Sequence, residues 1–496
     1  MTTKITEQNI SNLANTGIDW QAVKTSDFTA SAGKGYFVNT ASGAVTVTLP
    51  SSPIIGDTLS IVDYGGTSAT NNIIIAGNGS KILASSINKT IKTNEVGVVL
   101  VFTDSTKGWV INGAYVQTGL VGVPGAPTIG TAVLNGVNVN VPFTQPADNG
   151  DDTITSYTAT ANPGGVNATL TQAGSGTITV TGLAQNTAFT FTVVATNSIG
   201  VSAASAASNS VTTPNPEYVA ATGGTVTTVS TNFKVHKFTG DSTFVVSNAG
   251  NAAGANQLDY LVVAGGGGGN DTGGGGGGGY RLSAGTSTGS YSVPSPHAAC
   301  VASITAAQQT YPVTIGGGGG GTGANSVFST ITSAGGGAGS HGGNGGAGGS
   351  GGGAGYGGGT AGAGNTPPVS PSQGNNGGAS PSSMTSPFRG AGGGGSNGAG
   401  SNQPGGNGGP AAANSITGSS VTYAGGGGGA GTAGSGGAGG SGGATPSGSH
   451  PAGDGVNGAN GAANRGGGAG SASGLPSRGT GGTGGSGVVF IRYKFQ

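Results

Sequence analysis

The chain enters a glycine-rich region through Leu258-Asp259-Tyr260-Leu261-Val262-Val263-Ala264 and leaves it through Val488-Val489-Phe490-Ile491-Arg492-Tyr493. Between these two apolar stretches, residues 265–487 contain 84 of the 113 glycines in the 496-residue chain. Runs of β-branched and aromatic residues favour strands, and a disordered tail would have no reason to end on a buried strand. We therefore predict that the two stretches are strands that pair or pack together at the base of an ordered region.

Glycine content alone leaves two arrangements open. Gly- and Ser-rich segments commonly form disordered linkers. Alternatively, extended helices with three residues per turn leave their backbone N–H and C=O groups unpaired, and without side chains several such helices can approach closely enough to pair these groups with one another. The bracketing strands favour the second arrangement, a polyglycine helix bundle. Its inserts would then be loops at the bundle ends, over residues 281–315, 365–391, 396–424, 444–465 and 471–480.

Upstream of this region, the residues from Tyr36 onward alternate between apolar and polar side chains. Val45, Val47 and Leu49 are separated by threonines, and this period of two is typical of a half-buried strand. Further short strands are predicted at residues 58–63, 72–76, 96–102 and 109–112. The pattern predicts a small β domain.

The next segment resembles a fibronectin type III domain in the order and spacing of its elements. The residues that carry the resemblance are 126–129, 137–143, Pro146 to Gly150, 154–158, 178–183, 189–197 and 211–214. Phe143 stands where this family often has Trp, and Phe189 stands at the tyrosine corner, so the hydroxyl hydrogen bond of that corner cannot form. The resemblance implies a β-sandwich with both phenylalanines in its core.

The glycine-rich part resembles the tip module of phage tail fibres and adhesins, through Tyr260 to Gly269, Tyr311 to Gly317 and Gly487 to Tyr493. The stretches Ile5 to Ile10 and Gly35 to Tyr64 resemble virion proteins of marine and cyanobacterial phages. In the T-even-type adhesins, a polyglycine sandwich displays variable loops that touch the host receptor. The resemblance implies a trimeric tail fibre that recognises its host through a polyglycine II-like tip.

These observations together predict an all-β, multidomain, elongated fibre with β-sandwich modules and a C-terminal polyglycine-helix bundle bracketed by β-strands. The expected parts are an N-terminal attachment arm (1–30), a small β domain (31–118), the fibronectin type III-like domain (119–215), a β region entering the tip (216–264), the glycine-rich tip (265–487) and a closing strand (488–496).

Composition and charge exclude several classes of function. The 15 Lys and Arg residues balance 15 Asp and Glu residues, so the chain lacks the excess of positive charge that nucleic-acid binding needs. The best apolar run, Val96 to Phe102, is much shorter than the roughly 20 residues of a membrane span, and we expect no membrane insertion. Cys300 is the single cysteine, which excludes an intrachain disulfide. No signal peptide is expected from the polar start of the chain.

The sequence predicts no catalytic, cofactor or metal site. Asp271 and Asp454 are the only Asp or Glu residues after Asp259, whereas glycoside hydrolysis needs two carboxylates about 5–9.5 Å apart. The four histidines are too dispersed along the sequence to form a metal site within one chain. We therefore expect a protein that is not an enzyme.

A binding surface is the remaining hypothesis. Aromatic and Arg side chains supply much of the energy at binding hot spots, and a few of them stand out against the Gly, Ala and Ser background. The receptor-contact candidates are Tyr291, His297, His341, Tyr356, Met384, Phe388, Arg389, Tyr423, His450 and Arg465. Tyr280, Tyr311 and Phe328 are expected instead to pack or cap the bundle.

The resulting prediction is a virion tail fibre protein that mediates host recognition and adsorption through its glycine-rich distal end. Its expected partners are a bacterial cell-surface glycan or outer-membrane protein, other virion tail or baseplate proteins, and two further copies in a homotrimer. It would be assembled in the host cytoplasm and function outside the cell. The alternatives are a tail or decoration protein of the virion without a receptor role, and a bacterial surface adhesin.

Overall fold

The computed structural model describes residues 17–112, 120–285, 301–380, 389–402, 405–431, 436–440, 456–472 and 479–496. These residues form strands, turns and irregular segments without a helix, so none of them provides an apolar helix that could cross a membrane. The chain divides into two compact units, Met1–Pro214 and Asn215–Gln496. The expected all-β, multidomain fold class is confirmed.

The first β domain consists of two five-stranded sheets. Its strands are β1 (Asp19–Lys24), β2 (Phe28–Thr29), β3 (Lys34–Val38), β4 (Val45–Thr48), β5 (Thr58–Asp63), β6 (Ile73–Ala76), β7 (Lys89–Ile91), β8 (Gly97–Asp104), β9 (Gly108–Ile111) and β10 (Leu120–Val121). The sheet orders are β1-β3-β5-β8-β9 and β10-β7-β6-β4-β2. Val45, Val47 and Leu49 are buried in the core of this domain, because alternate side chains of a strand point to the same face.

The boundary expected between an arm and this domain at residue 31 is corrected by the structure. Strand β1 pairs in parallel with β3, and β2 pairs in parallel with β4. Trp20 stacks on Phe37 with ring centroids 4.5 Å apart. Residues 19–29 therefore belong to the sheets of the domain, because they gain backbone pairing and an aromatic contact there. The earlier part of the expected arm, residues 1–16, lies outside the described residues.

Residues 128–212 form a sandwich of two four-stranded sheets. Its strands are β11 (Thr128–Ile129), β12 (Val133–Asn135), β13 (Asn138–Thr144), β14 (Ser156–Asn162), β15 (Asn167–Leu170), β16 (Gly176–Val180), β17 (Ala188–Thr196) and β18 (Val211–Thr212). One sheet joins β11, β12, β13 and β16, and the other has the order β15-β14-β17-β18. Phe143 and Phe189 are buried in the core between them, as predicted. Phe143 packs on Tyr157 with ring centroids 4.2 Å apart.

The second unit contains two larger sheets and a hairpin. Its strands are β19 (Val219–Thr222), β20 (Thr225–Val229), β21 (Phe233–Phe238), β22 (Ser242–Ala249), β23 (Gln257–Val263), β24 (Tyr280–Leu282), β25 (Ile304–Thr305), β26 (Thr310–Thr314), β27 (Ser326–Phe328), β28 (Ile331–Ser333), β29 (Ala412–Asn414), β30 (Val421–Tyr423) and β31 (Val488–Lys494). One sheet has the order β19-β22-β26-β27-β28. The other has the order β20-β21-β31-β23-β24, with β25 also paired to β23, and β29 pairs with β30.

The two strands that bracket the glycine-rich segment are antiparallel neighbours, as predicted. Val263 pairs with Val488, and the register continues to Asp259 opposite Arg492. One face of their sheet packs against the β19–β28 sheet, with Tyr260 and Ile491 in that core. The other face, which includes Leu261, contacts the glycine-rich region and the β29–β30 hairpin. The base of the glycine-rich region is therefore a sheet with two buried faces.

Two of the inserts expected as loops contain strands. Strand β26 lies within the expected loop 281–315 and is the middle strand of a sheet, with Tyr311 and Val313 buried. The hairpin β29–β30 lies within the expected loop 396–424. These two inserts are therefore not loops throughout. Their short strands form because they bury apolar side chains against the base sheet.

Candidate functional site

The glycine segments are joined by backbone hydrogen bonds that change partner at each residue. The amides of Gly265 to Gly269 donate, in order, to the carbonyls of Ala324, Gly485, Gly276, Gly321 and Gly482. Gly265 and Gly268 thus donate to one neighbouring segment, and Gly266 and Gly269 donate to a second. A partner that recurs at every third residue matches a backbone with three residues per turn. We call this network of cross-bonded glycine segments the glycine lattice.

Close packing explains why these positions are glycine. Every residue of 265–269 is buried, and so is every residue of 273–279. A Cβ at Gly266 would lie against the carbonyl of Gly467, and one at Gly267 against the carbonyl of Gly337. These obstacles are backbone atoms, which cannot rotate away as a side chain can. The lattice therefore leaves side chains room mainly at its turns and margins.

At one such turn the lattice brings two predicted candidates together. Nδ1 of His341 lies 3.1 Å from Oδ2 of Asp271, and the rings of His341 and Tyr356 meet edge to face with centroids 5.1 Å apart. The Tyr356 hydroxyl lies 3.4 Å from Nε2 of His341. Thr272 holds the turn, since its hydroxyl donates to the carbonyls of Ser340 and His341. We call Asp271, His341 and Tyr356 the turn cluster.

The turn cluster is a partly exposed group with both charge and aromatic surface. The His341 side chain is 37% exposed and that of Asp271 is 25% exposed. A protonated imidazole would pair with the carboxylate, and the phenol offers both a donor and an acceptor. Such a group is suited to contacting a polar ligand. Asp271 was not among the predicted candidates, although its position as the first Asp or Glu after Asp259 in the sequence could have indicated it.

Tyr423 and Arg465, two further candidates, also lie together. The guanidinium carbon of Arg465 is 5.9 Å from the centroid of the Tyr423 ring, and the Arg465 side chain donates to the carbonyl of Thr422. Tyr423 is only 2% exposed and packs edge to face on Phe490. Burial raises the pKa of Tyr423 to about 12, against the opposing effect of Arg465.

Tyr423, a predicted receptor-contact candidate, is thus a core residue, because its ring is buried and packs above the base sheet. It still borders a cavity of about 520 Å³, which we call the base groove. The polar side chains of this groove include Thr225, Thr227, Lys237, Ser419, Asn464 and Arg465. Among the residues that line it, none is Asp or Glu.

The base groove lies on one face of the six-stranded sheet. Thr225 pairs with Lys237 across β20 and β21, and Lys237 pairs with Phe490 across β21 and β31. Paired residues of neighbouring strands present their side chains to the same face. The sheet therefore supplies the floor, and the β29–β30 hairpin and residues 463–465 supply the walls. Lys237 was not predicted as a site residue, since nothing in the sequence places it near Arg465.

The remaining candidates divide into two sets. Arg389 is half-buried within the described residues. Tyr291, His297, Met384, Phe388 and His450 lie outside the described residues. Tyr280, Tyr311 and Phe328 are buried and pack in the cores, as predicted. Within the described ranges, no group of three or more His, Cys, Asp or Glu residues is arranged to hold a metal ion.

The fold and these sites define a class: a multidomain all-β protein whose glycine-rich half is built on a β-sandwich base. The chain belongs to the glycine-rich domain family, whose model matches residues 239–494. The match begins just before β22 and ends on the last residue of β31. It therefore spans strands β22 to β31, the glycine lattice and the walls of the base groove, but not strands β19 to β21.

Comparison with curated proteins gives a local similarity to a phage fibre protein. A segment of 61 residues is 41% identical to the long-tail fiber proximal subunit of Enterobacteria phage T4. This segment is 12% of the present chain and 5% of that subunit. The chain thus covers about one twentieth of the length of this relative.

Two solved multidomain structures resemble part of the chain. The FN1–FN3 domains of chicken CNTN1 are 19% identical over 28% of this chain and 47% of theirs, with a TM-score of 0.18. Domains A168–A170 of titin are 21% identical over 35% of this chain and 63% of theirs, with a TM-score of 0.19.

Proposed function

We propose that this protein is a virion tail fibre component that recognises and adsorbs to the host cell through its glycine-rich region. The similarity to a tail fibre subunit supports the fibre role, and membership of the glycine-rich domain family supports a distinct module in the second half of the chain. The receptor would be a bacterial surface glycan or an outer-membrane protein. The protein would assemble as a homotrimer with other tail or baseplate proteins in the host cytoplasm and function outside the cell.

The observation that carries this proposal is the glycine lattice. We infer that its segments are polyglycine II helices, since their hydrogen-bond partners recur every three residues. Cross-bonded backbone forms a rigid support, and binding groups held on rigid elements lose less entropy when a ligand binds. A scaffold that confines side chains to its turns is suited to presenting loops to a receptor.

The turn cluster is the part of the described surface that fits receptor contact best. It combines a carboxylate, an imidazole and a phenol on adjoining turns of the lattice. Aromatic residues dominate the energy of many binding interfaces, and this region offers few others. Acidic residues are also scarce here, since Asp271 and Asp454 are the only Asp or Glu residues after Asp259. Glycoside hydrolysis needs two neighbouring carboxylates, so this scarcity supports a role in binding rather than catalysis.

Adsorption of phage particles tests the proposal. The double variant His341→Ala, Tyr356→Ala is expected to lower the adsorption rate on the bacterium that the phage infects by about tenfold or more, the usual effect of losing a binding hot spot. Tyr64→Ala is the matched control, since Tyr64 is 61% exposed but lies in the first unit. Adsorption should be measured on particles that contain normal amounts of the protein. Unchanged adsorption by the double variant would contradict a role for the turn cluster.

The alternative is a structural tail protein without a receptor role. Electron microscopy of intact particles with labelled protein separates the two. Label at the distal end of a fibre supports the proposal, whereas label repeated along a tube supports the alternative.

A further inference from the structure

The base groove is lined by positive charges without negative ones. Lys237 and Arg465 line it, and neither contacts a carboxylate among the described residues. The chain as a whole has equal numbers of acidic and basic side chains, so this concentration of positive charge is local. A cleft lined by charges of one sign raises the local concentration of ligands of the opposite sign.

The other polar groups of the groove are hydroxyls and an amide. Thr225, Thr227 and Ser419 each offer a hydroxyl that can donate and accept. Asn464 offers an amino group, while its side-chain carbonyl accepts from the Ser486 hydroxyl. Such groups match the hydroxyls of a sugar. A planar guanidinium such as that of Arg465 matches carboxylate and phosphate groups in shape and charge.

Size and position further restrict the ligand. A cavity of about 520 Å³ lies within the range of small-molecule sites, so it would hold a short saccharide rather than a folded partner. The groove lies on the face of the sheet, where the side chains of Lys237 and Phe490 lie together. This position favours side-chain recognition over the addition of a peptide strand.

We propose that the base groove binds a short saccharide that carries an anionic group, either a carboxylate or a phosphate. Lys237 and Arg465 bind the anionic group, and Thr225, Thr227, Ser419 and Asn464 bind sugar hydroxyls. The idea that the sugar belongs to a host surface rests on the proposed function. Binding by the purified protein does not depend on it, and the groove is a second site on the chain, with residues separate from those of the turn cluster.

Calorimetric titration of the full-length protein tests this proposal. Digalacturonate is the carboxylated probe, glucosamine phosphate is the phosphorylated probe, and galactobiose is the neutral one. We expect one of the anionic probes to bind at least about tenfold more tightly than galactobiose, the size of one charge-assisted hydrogen bond. Added salt should weaken that binding, because mobile ions screen exposed charges. The anionic probe that binds more tightly shows whether the site prefers a carboxylate or a phosphate.

Substitutions in the groove locate the site. Lys237→Gln and Arg465→Gln each remove one charge and are each expected to weaken binding about tenfold. Lys234→Gln is the matched control, because Lys234 is on the same strand but pairs with Tyr493 and faces the opposite side of the sheet. Thermal unfolding of each variant shows whether it remains folded. The control should bind as the unsubstituted protein does.

Three results would overturn the proposal. The first is equal binding of the neutral and anionic sugars, or binding of none of them. The second is undiminished binding by a folded variant that lacks both groove charges, or an equal loss in the Lys234→Gln control. The third is tighter binding of a glutamate-rich peptide than of either anionic sugar. Failure of the adsorption test with normal sugar binding would instead contradict only the proposed function.

Discussion

Gly266 shows why the lattice excludes even a methyl group at some positions. Its amide donates to the carbonyl of Gly485 at 2.9 Å, while the position that a Cβ would occupy lies against the carbonyl of Gly467. We expect Gly266→Ala to destabilise the second unit by about 1–3 kcal/mol, the usual cost of overpacking a close-packed interior. Chemical denaturation of the purified protein measures this difference.

Gly320 provides the control for this substitution. It is exposed, and a Cβ there would have no neighbour within 4 Å. Gly320→Ala should therefore leave the stability unchanged or raise it by about 0.4–1 kcal/mol, because alanine restricts the unfolded chain. Equal losses in the two variants would show that glycine is needed for some reason other than the close approach of backbone.

His236 is a buried histidine that couples stability to pH. Its Nδ1 lies 2.6 Å from the carbonyl of Gly223, and its Nε2 lies 2.9 Å from the Tyr493 hydroxyl. The carbonyl requires a proton on Nδ1, so in the neutral ring Nε2 accepts from Tyr493. Burial lowers the pKa of His236 from 6.5, and Lys234 acts in the same direction, while the hydrogen bond to Gly223 opposes both.

This lowered pKa predicts that acid lowers the free energy of unfolding of the second unit. The unfolded chain takes up a proton near pH 6.5, whereas the folded chain does so only at lower pH. The stability that the neutral ring contributes is thus complete above pH 6.5 and is lost as the pH falls from there toward the folded pKa. Denaturation of His236→Gln over the same pH range should show a smaller dependence. An identical dependence in both proteins would assign the effect to other groups.

At the scale of the element, strand β31 is the centre of the base sheet. It pairs with β21 on one side and β23 on the other, and Ile491 on this strand is fully buried. Ile491→Ala is expected to destabilise the second unit by about 2–5 kcal/mol through lost burial and a residual cavity. Ile54→Ala, the same change at a side chain that is 71% exposed in the first unit, should shift stability by less than about 0.5 kcal/mol. Denaturant midpoints compare the two variants.

The elements that could be predicted from sequence are those with long apolar runs. Strands β23 and β31 and their pairing follow from such runs, since their residues are buried on both faces. Strand β12 was not predicted, because all three of its residues are exposed and carry no alternation. The hairpin β29–β30 was missed because its strands have three residues each and lie among Gly, Ala and Ser.

At the scale of the whole chain, the partners of the glycine segments could not be predicted. A glycine has no side chain to distinguish one neighbour from another, so the register depends on where the turns fall and on occasional polar residues. Asn375, for example, donates to the carbonyls of Gly395 and Ser396. His341 and Tyr356 could be selected as candidates because they differ from their background, but their contact with Asp271 required the structure.

The pairing of β23 with β31 has a consequence for synthesis on the ribosome. Val263 and Val488 are partners, so more than two hundred residues must be translated between them. At roughly 5–20 residues per second, the side of β23 that pairs with β31 stays unpaired for roughly ten to forty-five seconds. Ribosome stalling anywhere in that interval would leave an exposed apolar strand, prone to aggregation, on the nascent polypeptide.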